Sequence, residues 1–176
     1  MSTPRRFEVT PPDMRFPVLV VAATILATVA AVVLAWREPG ADRTLWWLFA
    51  LLLLLPAMMV LALTRRRVSL DGTTLHVVAG LNRTRINVSA LRLDEARTID
   101  LDTHPELRPG IKTLGTAMPG YQAGHFRQPG GRKVFALVTD RHRVLALPAR
   151  DGRLLLLSMT QPRALLDALH RASPSK

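Results

Sequence analysis

The side chains that could carry out chemistry in this chain are few and widely spaced. No two of the five histidines lie at the helical spacing that would place two metal ligands on one face. The histidines are His76, His104, His125, His142 and His170. The carboxylates between Asp94 and Asp102 could meet on one side, but no neighbour is visible that would separate their pKa values for acid and base roles. We therefore expect no catalytic residue, no bound metal and no cofactor.

The motifs of nucleophilic and phosphate chemistry are missing as well. The chain has no cysteine, which excludes a thiolate nucleophile, a disulfide and a cysteine-based metal site. It contains no G-x-S-x-G elbow, and the glycines at 110 and 115 are followed by Thr-Ala rather than by the Lys-Ser/Thr of a phosphate-binding loop. These absences argue against an enzyme and favour a binding protein.

Positive charge is the main chemical property that remains. The formal net charge is +11, and from residue 65 onward 19 Lys/Arg stand against 9 Asp/Glu. Such an excess can face nucleic acid or an anionic membrane surface. The basic residues come without interleaved exposed aromatics and without a nucleic-acid-binding motif, so nucleic acid is the weaker candidate. We expect anionic lipid headgroups to be the nearer counter-charge.

Two long apolar stretches, residues 16–36 and 45–64, predict where the rest of the chain lies. They are 21 and 20 residues long and contain no charged side chain. At about 1.5 Å per helical residue, each reaches about 30 Å, the thickness of the hydrocarbon core of a bilayer. An all-round apolar helix needs lipid or a large protein interior, and the remaining chain is too short to supply that interior. The sequence predicts a two-helix transmembrane hairpin over residues 16–64.

The basic residues near the two predicted spans indicate their orientation. Three arginines precede the first span and Arg65-Arg66-Arg67 follow the second, whereas only Arg37 and Arg43 lie between the spans. Because Lys and Arg accumulate on the cytoplasmic side, both termini are predicted to be cytoplasmic. We expect residues 1–15 to form an unstructured cytoplasmic lead-in. A cleaved signal peptide is the alternative, but the first apolar run is longer than its usual apolar region.

Small and aromatic side chains complete the prediction for the hairpin. Four alanines recur every fourth residue in the first span, and we expect them to pack against the second span or, alternatively, against a second copy. These are Ala23, Ala27, Ala31 and Ala35. The three tryptophans are predicted to mark the outer membrane interface, where amphipathic rings accumulate. They are Trp36, Trp46 and Trp47.

The arginine triplet 65–67 has two interpretations. It can serve topology alone, or it can also bind anionic headgroups, at about 1 kcal/mol for each basic residue near the surface. Further basic residues would extend this patch if they share one face. They are Arg83, Arg85, Arg141, His142, Arg143, Arg150 and Arg153.

From residue 68 onward, short β-like runs alternate with turn signals. Asp71-Gly72, Pro129-Gly130-Gly131 and Asp151-Gly152 each predict a chain reversal. Residues 83–88 alternate as a half-exposed strand, and the apolar run 134–138 predicts a strand buried on both faces. Residues 102–119 are expected to be irregular. A helix is predicted from Pro162, with Ser158 or Thr160 as its cap.

About seven antiparallel strands followed by one amphipathic helix is the layout of the pleckstrin-homology superfold. More specifically, residues 115–127, the strand 133–140 and the helix from Pro162 resemble the small bacterial PH-like domains found next to membrane hairpins. The resemblance covers residues 65–172 and leaves a tail at 173–176. It implies a membrane-associated, non-enzymatic domain. The first turn here is only Asp71-Gly72, whereas phosphoinositide-binding PH domains have a longer basic loop there, so we do not expect inositol-lipid recognition.

The stretch 118–126 is the candidate partner-binding loop. Its candidate residues are Met118, Pro119, Gly120, Tyr121, Gly124, His125 and Phe126. The alternative is a structural corner in which the glycines allow unusual backbone angles and the aromatics fill the core. We therefore expect an interaction or adaptor protein, anchored in the bacterial inner membrane, that binds a protein partner or itself through a groove, an open strand edge or a loop. The alternatives are a sensor of anionic lipid surfaces and a signal-anchored domain that faces outward.

Overall fold

A computed structural model describes residues 4–37 and 44–173, except for the side chains at 44–46, 48 and 55. The chain forms two compact units. The first unit comprises Met1–Asp13 and Arg65–Lys176, and the second comprises Met14–Thr64. Two segments that are distant in sequence therefore fold together, with the second unit inserted between them.

The second unit consists of two helices, α1 (Arg15–Arg37, 23 residues) and α2 (Thr44–Thr64, 21 residues). Within the described residues, α1 is the helix that is long and apolar enough to cross a membrane, judged by its length and composition. The described apolar part of α2, Phe49–Thr64, is shorter. Pro56 lies inside α2 and is buried.

The contact between α1 and α2 differs from the predicted alanine stripe. Ala31 and Ala35 are half-buried, but Ala23 and Ala27 are exposed. The buried position is Thr28, whose hydroxyl donates to the Thr24 carbonyl at 2.8 Å. Ala23 and Ala27 lie outside the contact with α2, because a strict four-residue repeat drifts around the helix, whereas packed helices meet along rows of about 3.5 residues. Packing of these two alanines against a second copy, the alternative, stays a prediction.

The first unit contains a four-stranded antiparallel sheet, which we call the first sheet. Its strands are β1 (Arg5–Phe7), β2 (Arg66–Asp71), β3 (Thr74–Ala79) and β4 (Asn82–Asn87), in the order β1-β2-β3-β4. The predicted turn at Asp71-Gly72 joins β2 to β3, with Gly72 at a φ of +53°. Expecting an unstructured lead-in was wrong for β1, because its register with β2, Arg5 opposite Leu70 and Phe7 opposite Val68, supplies backbone partners from far along the chain.

A six-stranded second sheet follows. Its strands are β5 (Arg97–Ile99), β6 (Ile111–Met118), β7 (Tyr121–Arg127), β8 (Lys133–Val138), β9 (Val144–Pro148) and β10 (Leu154–Ser158). Their order is β5-β9-β10-β8-β7-β6, and the helix α3 (Pro162–Ala172) ends the described chain. The prediction of about seven strands, all antiparallel, was wrong, because β8 and β10 are parallel neighbours and nine strands lie between residues 65 and 173.

Residues 102–119, which were predicted to be irregular, are irregular only in the part that connects β5 to β6. β6 occupies 111–118, and β5 and β6 are the two opposite edges of the second sheet, so residues 100–110 cross one of its faces. Leu107 packs there on a buried cluster that includes Phe126 and Leu156. The buried Gln128 side chain donates to the carbonyls of Glu106 and Arg108 at 3.2 and 2.8 Å. Residues 100–110 therefore cover the apolar core on this face of the second sheet.

Ser158, at the end of β10, connects three segments of the chain through hydrogen bonds. The link from β8 to β9 passes this strand end, and the Ser158 hydroxyl accepts from the amides of Thr139 and Asp140 at 3.1 and 3.2 Å. The same hydroxyl donates to the Asp140 carbonyl at 2.7 Å, and the Ser158 carbonyl accepts from the Thr10 amide at 3.1 Å. The prediction that Ser158 or Thr160 caps α3 was wrong, since Gln161 is the N-cap and its side chain makes no capping bond.

Candidate functional site

The outer surface of the first sheet carries four exposed arginines, which we call the arginine face: Arg6, Arg67, Arg83 and Arg85. In one cross-strand row, Arg6 is opposite Ser69, Ser69 opposite His76 and His76 opposite Arg85. In the next row, Val78 lies between Arg67 and Arg83. The alternation predicted for residues 83–88 is confirmed, because Ile86 is buried between the exposed Arg85 and Asn87.

The arginine face has little charge compensation. The four strands contain one acidic residue, Asp71, at the far end of β2. No ion pair or hydrogen bond involves the guanidinium group of Arg6, Arg67, Arg83 or Arg85 in the described part of the chain. Neighbouring strands are about 4.8 Å apart, so Arg67 and Arg83, on either side of Val78, lie about 10 Å apart at the backbone.

The predicted triplet 65–67 does not form one patch. The side chain of Arg67 belongs to the arginine face, whereas Arg66 is half-buried and alternates to the inner side of β2. The Arg65 carbonyl accepts from the Gly80 amide at 2.7 Å. Of the residues that could extend the patch, Arg83 and Arg85 join Arg67. The other candidate residues lie in the segments before and after β9, in the second sheet. Arg66 and Arg67 point to opposite sides of β2 because successive side chains of a strand alternate in direction.

The tryptophans that were predicted to mark the membrane interface lie in the second unit. Trp36, near the end of α1, is 71% exposed, and Trp47, in the first turns of α2, is 77% exposed. The side chain of Trp46 lies outside the described residues. Both described rings are therefore available to an interface.

The candidate loop 118–126 is a β-hairpin. Met118 ends β6, Pro119 and Gly120 form the exposed turn, and β7 begins at Tyr121. Tyr121 and Phe126 are 1% and 2% exposed, so they fill the core, as the alternative interpretation predicted. Burial raises the pKa of Tyr121 to about 12, with a smaller opposing effect of Arg66. The segment is therefore an ordered hairpin rather than a loop, and its binding of a partner stays a prediction.

The backbone geometry around Gly124 requires a glycine at this position. It is paired directly with Gly115 of β6, and their φ angles are +124° and +144°. A Cβ on Gly124 would run into the carbonyl oxygen of Leu114, and one on Gly115 into that of Ala123. The close approach of two backbones therefore requires glycine at both positions.

A second basic surface, which sequence reasoning missed, is a groove of about 990 Å³ on the second sheet. Four basic residues line it, and we call it the basic groove: Arg127, Arg132, Lys133 and Arg153. Its one acidic residue, Asp151, accepts from the Arg153 Nε at 2.6 Å, and Arg132 donates its Nε–H to the Gly152 carbonyl at 3.0 Å. The turn signals at 129–131 and 151–152 locate the loops but cannot show that they meet.

His125 lies in the basic groove. Its ring packs edge-on against Phe135, with the ring centroids 4.9 Å apart. Burial lowers the pKa of His125, and the positive charge of Arg153 lowers it further. His125 is therefore neutral at pH 7, and the charge of the groove comes from its Arg and Lys side chains.

Asp100, Asp102 and His142 come together near the start of the crossing connection, with potential ligand atoms within 4.8 Å of one another. His142 Nδ1 lies 3.1 Å from an Asp100 oxygen, and Asp102 pairs with Arg108 and Arg141 at 3.3 and 3.7 Å. The hydrogen bond between His142 and Asp100 is the main cause that raises the pKa of His142 and lowers the pKa of Asp100. Since both carboxylates already have cationic partners, this cluster is a surface ion-pair network.

Two sheets that enclose an apolar core, followed by one amphipathic helix, define a PH-like β-sandwich. A family model described as the bacterial PH domain matches residues 66–173, and the chain belongs to this family. No curated protein and no solved structure is significantly similar to the chain. Domains of this family are modules that interact with lipids or proteins. In this chain, the arginine face and the basic groove present positive charge for such contacts.

Proposed function

We propose that this protein is a membrane-anchored, non-enzymatic interaction protein, an adaptor whose PH-like domain lies on the cytoplasmic side of the bacterial inner membrane. One observation carries this proposal. β1 precedes α1 and β2 follows α2, yet the two strands pair in one sheet. Paired strands lie on the same side of a membrane, so the segment between them crosses an even number of times.

This pairing constraint supports two spans. α1 is long and apolar enough to cross, and a single crossing by α1 would separate β1 from β2. The helix α2 has 21 residues without a charged side chain, which corresponds to about 30 Å. We therefore keep residues 16–36 and 45–64 as the two spans of the anchor.

The distribution of arginines supports the cytoplasmic orientation. Arg5, Arg6 and Arg15 precede the first span and the triplet 65–67 follows the second, against Arg37 and Arg43 between them. In this orientation, Trp36 and Trp47 face the outer interface.

Single-cysteine labelling tests the anchor, since the chain has no cysteine of its own. Ala41→Cys, in the connection outside the described residues, should react with a membrane-impermeant thiol reagent in intact cells. Ser173→Cys should react only after the membrane is permeabilised. Labelling of Ser173→Cys in intact cells would show a domain that faces outward, and protection of Ala41→Cys would contradict the two spans.

The arginine face favours a second, more specific function, binding of the anionic membrane surface. Among the described residues its guanidinium groups have no ion pair to break, and the planar guanidinium matches phosphate geometry. At about 1 kcal/mol for each basic residue, three of them favour contact by about 3 kcal/mol, or about two orders of magnitude. The flat surface of a sheet suits a bilayer better than it suits a small ligand.

An environment-sensitive dye on Ser69→Cys tests this contact in the full-length protein. In nanodiscs that contain phosphatidylglycerol, the dye should report a less polar environment than in nanodiscs of phosphatidylcholine alone. The difference should disappear in high salt and in the variant Arg67→Gln, Arg83→Gln, Arg85→Gln.

A matched control removes the same charge elsewhere, in Arg97→Gln, Arg143→Gln, Arg163→Gln, three exposed positions outside the arginine face. This control should retain the dye response. An equal signal in both kinds of nanodisc, or an equal loss in the control, would reject binding by the arginine face.

A further inference from the structure

β6 is an open edge with an unusual surface. It is eight residues long and has β7 as its one neighbour in the second sheet. Its side chains Ile111 and Leu114 are 78% and 63% exposed. Within residues 4–13 and 65–173, the other large apolar side chain with comparable exposure is Leu81, at 55%. A long apolar edge strand is prone to aggregate unless another strand covers it.

The backbone of β6 offers hydrogen bonds on its open side. The carbonyl oxygens of Leu114 and Ala123 point across the ladder between β6 and β7, because a Cβ on the glycine opposite would meet them. Successive residues of a strand turn their backbone groups to alternate sides, so Gly115 and Ala117 direct theirs outward. No described hydrogen bond outside the ladder uses these groups.

The exposed side chains of β6 adjoin the basic groove. Ile111 is in register with Arg127, and Arg127 with Lys133. Leu114 is in register with His125, and His125 with Phe135. An apolar strip at the sheet edge thus continues directly into the cationic surface, whose one carboxylate, Asp151, is already paired with Arg153.

We infer that β6 and the basic groove together bind an extended segment of another protein that carries apolar side chains and carboxylates. The segment adds a strand to β6 through the outward backbone groups of Gly115 and Ala117. Its apolar side chains cover Ile111 and Leu114, and its carboxylates contact Arg127 and Lys133. This inference names a binding surface beyond the proposed function and does not depend on the arginine face or on the anchor.

Charge argues against a second copy of this chain as the occupant. The charged side chain of β6 is Lys112, so the β6 of a second copy would offer no carboxylate to Arg127 and Lys133. A partner rich in carboxylates gains from the same positions.

The test uses the full-length protein in nanodiscs of uncharged phosphatidylcholine and a displayed library of random ten-residue peptides. We expect the enriched peptides to carry both apolar residues and Asp or Glu at every second position, because side chains two residues apart lie on one face of a strand, as Ile111, Leu114 and Arg127 do. Ala117→Pro removes an outward N–H and should weaken a selected peptide at least tenfold, whereas Ala117→Val keeps that N–H and should bind normally. Arg127→Glu with Lys133→Glu should weaken it at least tenfold without changing the β6 backbone.

Four results would overturn the inference: no enrichment, enriched peptides without carboxylates, binding that survives both disruptive variants, or a dimer that Ala117→Pro dissociates. The variant Arg67→Gln, Arg83→Gln, Arg85→Gln should bind the peptide normally. Because the lipid is uncharged and the peptide is added in solution, failure here is distinct from failure of the anchor or of lipid binding. Thermal unfolding of each variant shows whether it has retained its fold.

Discussion

The two sheets of the PH-like domain use their faces differently. In β8 and β10 of the second sheet, every residue from Val134 to Val138 and from Leu154 to Ser158 is buried. In β2, β3 and β4, buried residues alternate with residues on the open arginine face. These two strands of the second sheet are therefore buried on both faces, whereas the first sheet exposes one face that can bind without disturbing the core.

The largest effect should follow from a cavity in the second sheet. Leu156 in β10 is fully buried within the cluster beneath the crossing connection. Leu156→Ala should lower the free energy of unfolding by about 2–5 kcal/mol. Pulse proteolysis of the full-length protein in urea measures this loss. Ser69→Ala on the open face is the control, and a similar loss there would erase the difference between the sheets.

A smaller loss should follow from removing the Ser158 hydroxyl. Ser158→Ala leaves the amides of Thr139 and Asp140 without their acceptor in a site that is 0% exposed. Leaving a buried donor unsatisfied costs about 1–3 kcal/mol. The same proteolysis assay should show this decrease, together with faster hydrogen exchange at these two amides. Unchanged exchange would mean that water replaces the hydroxyl.

The arginine face should tolerate substitution. Arg67→Gln, Arg83→Gln, Arg85→Gln should change the free energy of unfolding by less than about 1.5 kcal/mol in total, since exposed substitutions away from special features usually stay within about 0.5 kcal/mol each. Relief of repulsion between like charges favours a small gain. A larger loss in urea unfolding would show that these arginines are structural and would break the comparison.

The smallest effect concerns pH and the exposed pair His142–Asp100. The raised pKa of His142 means that its contribution to stability is complete below about pH 6.5 and is lost as pH rises through the folded-state value. The lowered pKa of Asp100 means that its contribution is present above about pH 3.9 and is lost as pH falls. The unfolding midpoint of the wild type relative to His142→Gln should therefore be highest between these values. A difference that is independent of pH would contradict this assignment.

Local signals predicted much of the fold. The turns at Asp71-Gly72, 129–131 and 151–152, the alternation around Ile86 and the helix α3 all depend on residues that are near in sequence. They were correct because turn geometry and amphipathic spacing act within a few residues.

The missed features depend on distant partners. β1 is three residues long and is stabilised by β2, more than fifty residues away in sequence. β6 lies on an edge among glycines and prolines and has no buried face to produce an alternating pattern. The parallel pairing of β8 with β10 and the role of Ser158 follow from topology, and no local pattern encodes them.

The candidate sites divide in the same way. The sequence identified Arg67, Arg83 and Arg85 as basic residues that could share a face, and strand alternation was enough to unite them. It could not identify the basic groove, because two loops and five strands contribute to that surface. The stretch 118–126 was singled out for its glycines and aromatics, but Gly124 and Tyr121 have structural roles there.

The pairing of β1 with β2 also sets an order of events during synthesis. β1 leaves the ribosome first, but its partner emerges only after α1, the connection and α2 have been made. Closing so long a loop in a free chain is entropically costly and slow. Packing of α1 on α2 brings Met14 close to Leu63, which shortens the effective loop before the strands meet. Completion of the first sheet therefore follows synthesis of both helices, and a chain stalled before α2 keeps β1 unpaired.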